Sequence, residues 1–140
     1  MNKAEVIDFI NAHLGGHLAT VEDGKPHVRG IFFYKADDDG IVFHTGTMKD
    51  LYRQVMANPN VETCFNDFQQ GIQIRVSGVA QEIKDMDFKK EIVSKREFLQ
   101  KMIESNAASY ETLAVFYIKN CVATPWTMAA NFATKEYIKF

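Results

Sequence analysis

Thr45-Gly46-Thr47-Met48-Lys49 runs from a strand-like stretch into a helix start. Such a junction offers free backbone N–H groups and the positive end of a helix dipole, which together suit a phosphate. Thr47 adds a hydroxyl donor and Lys49 a full positive charge. A cap at Thr47 and a solvated lysine would account for the same residues. Arg29 stands in Pro26-His27-Val28-Arg29-Gly30-Ile31-Phe32-Phe33, where a charge among apolar neighbours is costly unless paired. It sits either at an exposed rim or, with Lys49, on one shared anion. Gln73, in Gln73-Ile74-Arg75-Val76-Ser77-Gly78-Val79-Ala80, carries an amide able to donate and accept at a heterocycle edge. A surface strand glutamine reads the same way.

Other chemistries find little support. His13 and His17 have i,i+4 spacing, but Gly15-Gly16 between them should break the helix that would align them, and His27 and His44 fall on different strands. No metal site is expected. Cys64 and Cys121 lie in apolar strand-like contexts and read as buried reduced thiols. There is no GxSxG elbow, no Walker loop and no GxGxxG fingerprint. The 140 residues carry a net charge of -2 and a sequence pI of 6.1. Nucleic-acid binders usually exceed a pI of about 9, so no nucleic-acid partner is expected. No apolar run approaches the roughly 20 residues of a membrane helix, and the first residues lack a signal layout. The expectation is a soluble cytoplasmic protein with no membrane partner.

Positioning these residues requires a mixed set of elements. Asn2 and Glu5 form a capping-box pattern ahead of Val6, Ile7, Ile10 and Leu14 at helical spacing, with Gly15-Gly16 as the stop. Strands are predicted at His17–Val21, Pro26–Tyr34 and Ile41–Thr45, joined by turns at 22–25 and 37–40. A second helix carries Leu51, Val55 and Met56, with Thr47 as its N-cap and Asn58-Pro59-Asn60 as its end. Val61–Asn66 and Ile72–Ile83 are two further strands. From Asp85 a charged helical stretch runs past Ile103, with a break near Ser94–Arg96. Thr112–Ile118 is the most hydrophobic strand, Val122–Met128 continues it, and Tyr137–Phe140 is a terminal strand or a tail. No repeat or linker divides the chain, so residues 1–140 are expected to form one α+β domain. Its centre is expected to be a small β-barrel of about six antiparallel strands, closed to remove its edges, with two to four flanking helices.

In order, Leu18-Ala19-Thr20-Val21, the Gly24-Lys25-Pro26 turn, Val28-Arg29-Gly30-Ile31, Val42-Phe43-His44-Thr45, Thr47-Met48-Lys49, Asn58-Pro59-Asn60-Val61 and Gln73 with Ser77-Gly78-Val79-Ala80 resemble the pyridoxamine 5′-phosphate oxidase-like family of FMN-binding split β-barrels. Lys49–Val55 is most similar to its short general-stress and nitroimidazole-resistance-type members. The resemblance implies FMN held at a homodimer interface. Arg29 and Lys49 would neutralise its phosphate, with Thr47 donating to it. Gly30, Ile31 and Phe32 would lie along the ring, His44 and Thr45 would border it, and Gln73 would bond its pyrimidine edge. Trp126 would either stack near the partner's flavin or pack in the core. The activity implied is an FMN-dependent oxidoreductase that takes hydride from a reduced nicotinamide and reduces a small molecule. A non-catalytic flavin- or haem-binding carrier or sensor stress protein fits the same residues. Met48 stands where many members have a basic residue, and Tyr34 replaces a lysine of the true oxidases. The last third also lacks the oxidase's substrate pattern, so pyridoxamine phosphate oxidation is not expected.

Overall fold

The computed structural model describes residues 1–140. Its first helix, α1 (Lys3–Ala12), begins with the capping box written in the sequence. Asn2 Oδ1 accepts from Glu5 N at 2.9 Å, and Glu5 Oε2 accepts from Asn2 N at 2.8 Å. Two N–H groups that the helix cannot satisfy are thereby paired. The helix ends at His13 rather than at the glycines. Gly15 and Gly16 belong instead to β1 (Gly15–Glu22), where a Cβ on Gly16 would stand 2.8 Å from the Cys64 carbonyl oxygen. Close strand approach, not a helix stop, explains Gly16.

The chain continues through β2 (Lys25–Phe32), β3 (Lys35–Asp37), β4 (Gly40–Gly46), α2 (Asp50–Ala57), β5 (Asn60–Asp67) and β6 (Ile72–Ile83). It then forms α3 (Met86–Ser94), α4 (Glu97–Glu104), β7 (Leu113–Thr127) and β8 (Ile138–Lys139). The helical break falls at Lys95-Arg96, within the expected region. The two apolar runs beyond Thr112 are one 15-residue strand, because Asn120 takes a positive φ of 54° opposite a register shift at Ser77/Val79 and pairing resumes on both sides. β3 had no separate sequence signal. It pairs with β4 through a turn at Gly40, whose φ of +131° and 1.9 Å approach of a hypothetical Cβ to the Ile118 oxygen admit only glycine.

All paired strands are antiparallel, in the order β2-β1-β5-β6-β7-β4-β3, with β8 added to β7. The eight strands and four helices make an α+β fold with a split barrel-like sheet. Closure, expected from the many short strands, does not occur: β2 and β3 each keep a free edge. Alternation along the strands builds the main core, in which Phe33, Phe43, Phe65 and Phe116 meet Val6 and Ile10 of α1 and Leu51 and Val55 of α2. A smaller core lies on the other face, where Ile92, Val93 and Leu99 of α3–α4 cover Val42, Leu113 and Val115. β4 is thus covered on both sides, which explains its continuous apolar run. No helix is long and apolar enough to cross a membrane.

Candidate functional site

Arg29 leaves edge strand β2 and reaches across β1 to α2. Its Nη1 donates to Leu18 O at 3.2 Å and to Thr20 Oγ1 at 2.9 Å, and its Nη2 donates to Gln54 Oε1. Thr20 Oγ1 in turn donates to the same Gln54 oxygen at 2.6 Å. Thr20 and Gln54 are 1% and 3% exposed, so this network is largely sealed from water. A guanidinium has five N–H donors, and the three committed ones leave two free. The two sequence-distant cations meet at one surface feature: a cavity of about 400 Å³ lined by Arg29, Gly30, Ile31, His44, Thr45, Lys49, Asp50 and Gln54 among others. Lys49 is exposed and free of ion pairs. Asp50 adds a negative charge to the wall, but Arg53 Nη1 holds it at 2.7 Å and offsets it.

A second cavity of about 300 Å³ continues from the first and shares Gly30, Ile31, His44, Thr45 and Lys49 with it. Phe32 lies on its β2 side, and Phe98, Leu99, Met102 and Ile103 of α4 form its opposite wall. His44 joins the two spaces. Its Nε2 is buried without a hydrogen-bond partner. Burial first, then the positive charges of Arg96 and Lys49, lower its pKa to about 4, so the imidazole is neutral at pH 7.

Arg29, Gly30, Ile31, His44, Thr45 and Lys49 therefore come together, with Phe32 at the adjoining space. Thr47 does not cap α2. Lys49 is the N-cap residue, and the Thr47 N–H is used by Thr112 O at 2.9 Å because the strand end keeps pairing with the β7 approach. Thr47 lines neither cavity. Gln73 and Trp126 pair with each other across β6–β7 and line a different cavity, of about 690 Å³, together with Arg75, Pro125 and Asn131. There Gln73 Nε2 donates to Asn66 Oδ1 at 2.9 Å and Trp126 Nε1 to Asn131 Oδ1 at 2.8 Å. Trp126 is half-buried on that wall rather than in the core. Cys64 is likewise half-buried, not enclosed as expected.

Sequence reasoning missed Thr20, Gln54 and Arg96. For the first two a signal existed: Thr20 shares the inward face of β1 with Leu18, and Gln54 lies between Leu51 and Val55 on the apolar stripe of α2. A polar group on a core face needs a partner, and here the partner is a cation. Arg96 sits at the helix break, where no periodicity marks it.

The family described as pyridoxamine 5′-phosphate oxidase matches residues 3–115. General stress protein 26 of Bacillus subtilis (strain 168) is 39% identical over 61 residues, which is 42% of this chain and 41% of that protein. A pyridoxine/pyridoxamine 5′-phosphate oxidase of Rhizobium etli (strain CIAT 652) is 34% identical over 71 residues, 50% of this chain and 34% of that protein. The chain thus matches about two fifths or less of these curated relatives. In fold, it is similar to a NimC/NimA family protein from Clostridium acetobutylicum, with a TM-score of 0.79 at 19% identity, covering 98% of this chain and 92% of that one. With more than three quarters of its length matched, the chain belongs to the pyridoxamine 5′-phosphate oxidase family.

Proposed function

We propose that this chain binds FMN as a homodimer and acts as an oxidoreductase on a small molecule, with reduced nicotinamide as hydride donor. The observation that carries this reading is the single cavity shared by Arg29 and Lys49. Two cations from distant parts of the sequence suit a phosphate dianion, and the two uncommitted Arg29 N–H groups can bond it. Gly30, Ile31 and Phe32 offer a flat strand edge to a ring, bordered by His44 and Thr45. Bound FMN would supply the redox chemistry, accepting hydride and passing electrons on.

The dimer is supported by what one chain leaves incomplete. Gln73 and Trp126 line a separate cavity, and exposed apolar side chains rim both places. Phe32 and Met48 line the first, and the exposed Met128 and Phe132 are sequence neighbours of Thr127 and Asn131, which line the second. Apolar patches at two separate places suit a two-fold pairing in which each covers the other. In that pairing the partner subunit's Gln73 would bond the ring's pyrimidine edge and the partner subunit's Trp126 would stack near it.

The purified protein is expected to be yellow or to take up added FMN, and its visible absorption to bleach anaerobically with NADH or NADPH. Changing Arg29 and Lys49 together to alanine should lower FMN affinity by roughly a hundredfold, in line with losing two charge-assisted contacts. A colourless protein that takes up no FMN would overturn the proposal. Tight binding without bleaching would instead favour the carrier or sensor reading.

A further inference from the structure

Arg96 precedes α4 as its N-cap residue, is 7% exposed, and lines both the inner cavity of about 300 Å³ and an outer one of about 340 Å³. Its Nη1 donates to Phe32 O at 3.0 Å and its Nη2 to Phe33 O, and its guanidinium carbon lies 4.1 Å from the centre of the Phe32 ring. Two neutral carbonyls and an aromatic face orient the group without neutralising it. Glu91 lines the outer cavity, but its Oε2 accepts from the Tyr34 hydroxyl at 2.8 Å and no ion pair joins it to Arg96. Buried charges are ordinarily paired, and a guanidinium cannot shed its proton, so a positive potential remains. It reaches the inner cavity: after burial, Arg96 is the largest cause of the lowered pKa of His44, ahead of Lys49.

A count of charges gives this potential a use. On the flavin reading, Arg29 and Lys49 answer the two charges of the phosphate, and Asp50 is offset by Arg53. Arg96 is then a cation in excess of what oxidised FMN requires. Hydride brings two electrons and one proton, so a neutral ring that accepts it becomes an anion unless a second proton follows. The inner cavity offers no carboxylic acid to supply one: it is lined by no aspartate or glutamate, and His44 is neutral at pH 7. The excess cation therefore matches the charge that reduction adds. We infer that Arg96 makes this site prefer the reduced, anionic form of FMN, raising its midpoint potential without adding to the grip on the phosphate. The inference rests on the flavin reading and assigns Arg96 the tuning of the cofactor by a nearby charge.

The midpoint potential of FMN bound to the full chain is measured anaerobically by spectroelectrochemistry, beside free FMN, and oxidised FMN affinity by fluorescence titration. The parent is expected to bind reduced FMN at least tenfold more tightly than oxidised FMN, placing its midpoint about 30 mV or more above that of free FMN. In Arg96→Gln, affinity for reduced FMN should fall at least tenfold more than affinity for oxidised FMN. Arg96→Met makes the same test if the glutamine variant does not fold. Arg96→Lys, which keeps the charge, should retain most of the preference, whereas Arg29→Ala should weaken both forms alike. A parent midpoint at or below that of free FMN overturns the inference and needs no variant. So does an equal fall of the two affinities in Arg96→Gln, the mark of a purely structural role. If the parent binds neither form, the flavin reading fails and this inference with it; FMN bound without a redox preference defeats this inference alone.

Discussion

Gln54 of α2 holds Arg29 of β2 through its side-chain oxygen, which also accepts from Thr20 Oγ1. A single amide thus fixes the guanidinium at the mouth of the cavity from an element 25 residues away in sequence. Gln54→Leu removes that acceptor and leaves buried donors unsatisfied, so stability should fall by about 1–3 kcal/mol. Gln54→Glu keeps an acceptor but adds a negative charge against Arg29. Its stability should fall less, while FMN affinity falls further than in Gln54→Leu because the carboxylate competes with the phosphate. Chemical denaturation and FMN titration of the two variants measure the two effects. Equal FMN affinity in both would contradict a role for Arg29 in holding the phosphate.

Gly30 offers a cleaner separation of fold from ligand. It has no positive φ, and a Cβ there would meet nothing closer than Gly16 O at 4.0 Å. Gly30→Val is therefore expected to leave Tm within about 2 °C of the parent, since β-branched residues suit strands and no clash arises. If the ring lies along this stretch of β2, the added methyls occupy its place and FMN affinity drops by tenfold or more. Thermal melts with and without FMN read both quantities, and unchanged affinity would move the ring off Gly30.

The ease with which parts of this molecule could be read from sequence follows the range of the forces involved. The α1 start was legible because the Asn2–Glu5 box closes within one turn. β6 was legible at both ends because a polar turn precedes it and Asp85 caps the helix that follows. Arg29 and Lys49 stood out because charges beside apolar strands demand an explanation, and they do line one cavity. Closure of the sheet was not legible, since pairing of β2 with β3 depends on the path of the whole sheet. Thr47 as cap failed because competition from Thr112, on the approach to a strand more than 60 residues later, has no local signature. The wall made by α4 was equally hidden, because it arises from packing across the sheet.

His44 gives the stability a pH dependence of known sign. Its folded pKa of about 4 lies below the ordinary value of 6.5. Between those values the unfolded chain binds more protons than the folded one, so stability falls as pH drops from about 6.5 towards about 4. The contribution is fully present above that window and its ceiling is about 3 kcal/mol. His44→Phe should flatten this part of the profile, measured by denaturant midpoints at intervals from pH 7 to pH 4. An unchanged slope would mean that other groups dominate acid unfolding.

A site shared by two subunits makes a prediction that one chain cannot meet. On the proposed reading, Arg29→Ala would remove a phosphate contact from one wall, and Gln73→Ala with Trp126→Ala would remove the opposite wall, since these residues line a separate cavity of the same chain. Each variant alone should bind FMN weakly at every site. When the two are unfolded, mixed in equal amounts and refolded, random pairing gives half mixed dimers. Each mixed dimer holds one site with both walls intact and one with neither, so about a quarter of all sites should regain parental affinity. A titration that shows this tight fraction, absent from either variant refolded alone, would establish that both subunits build the site. If no tight fraction appears although the mixed dimer is present by native mass spectrometry, Gln73 and Trp126 do not face the flavin across the interface.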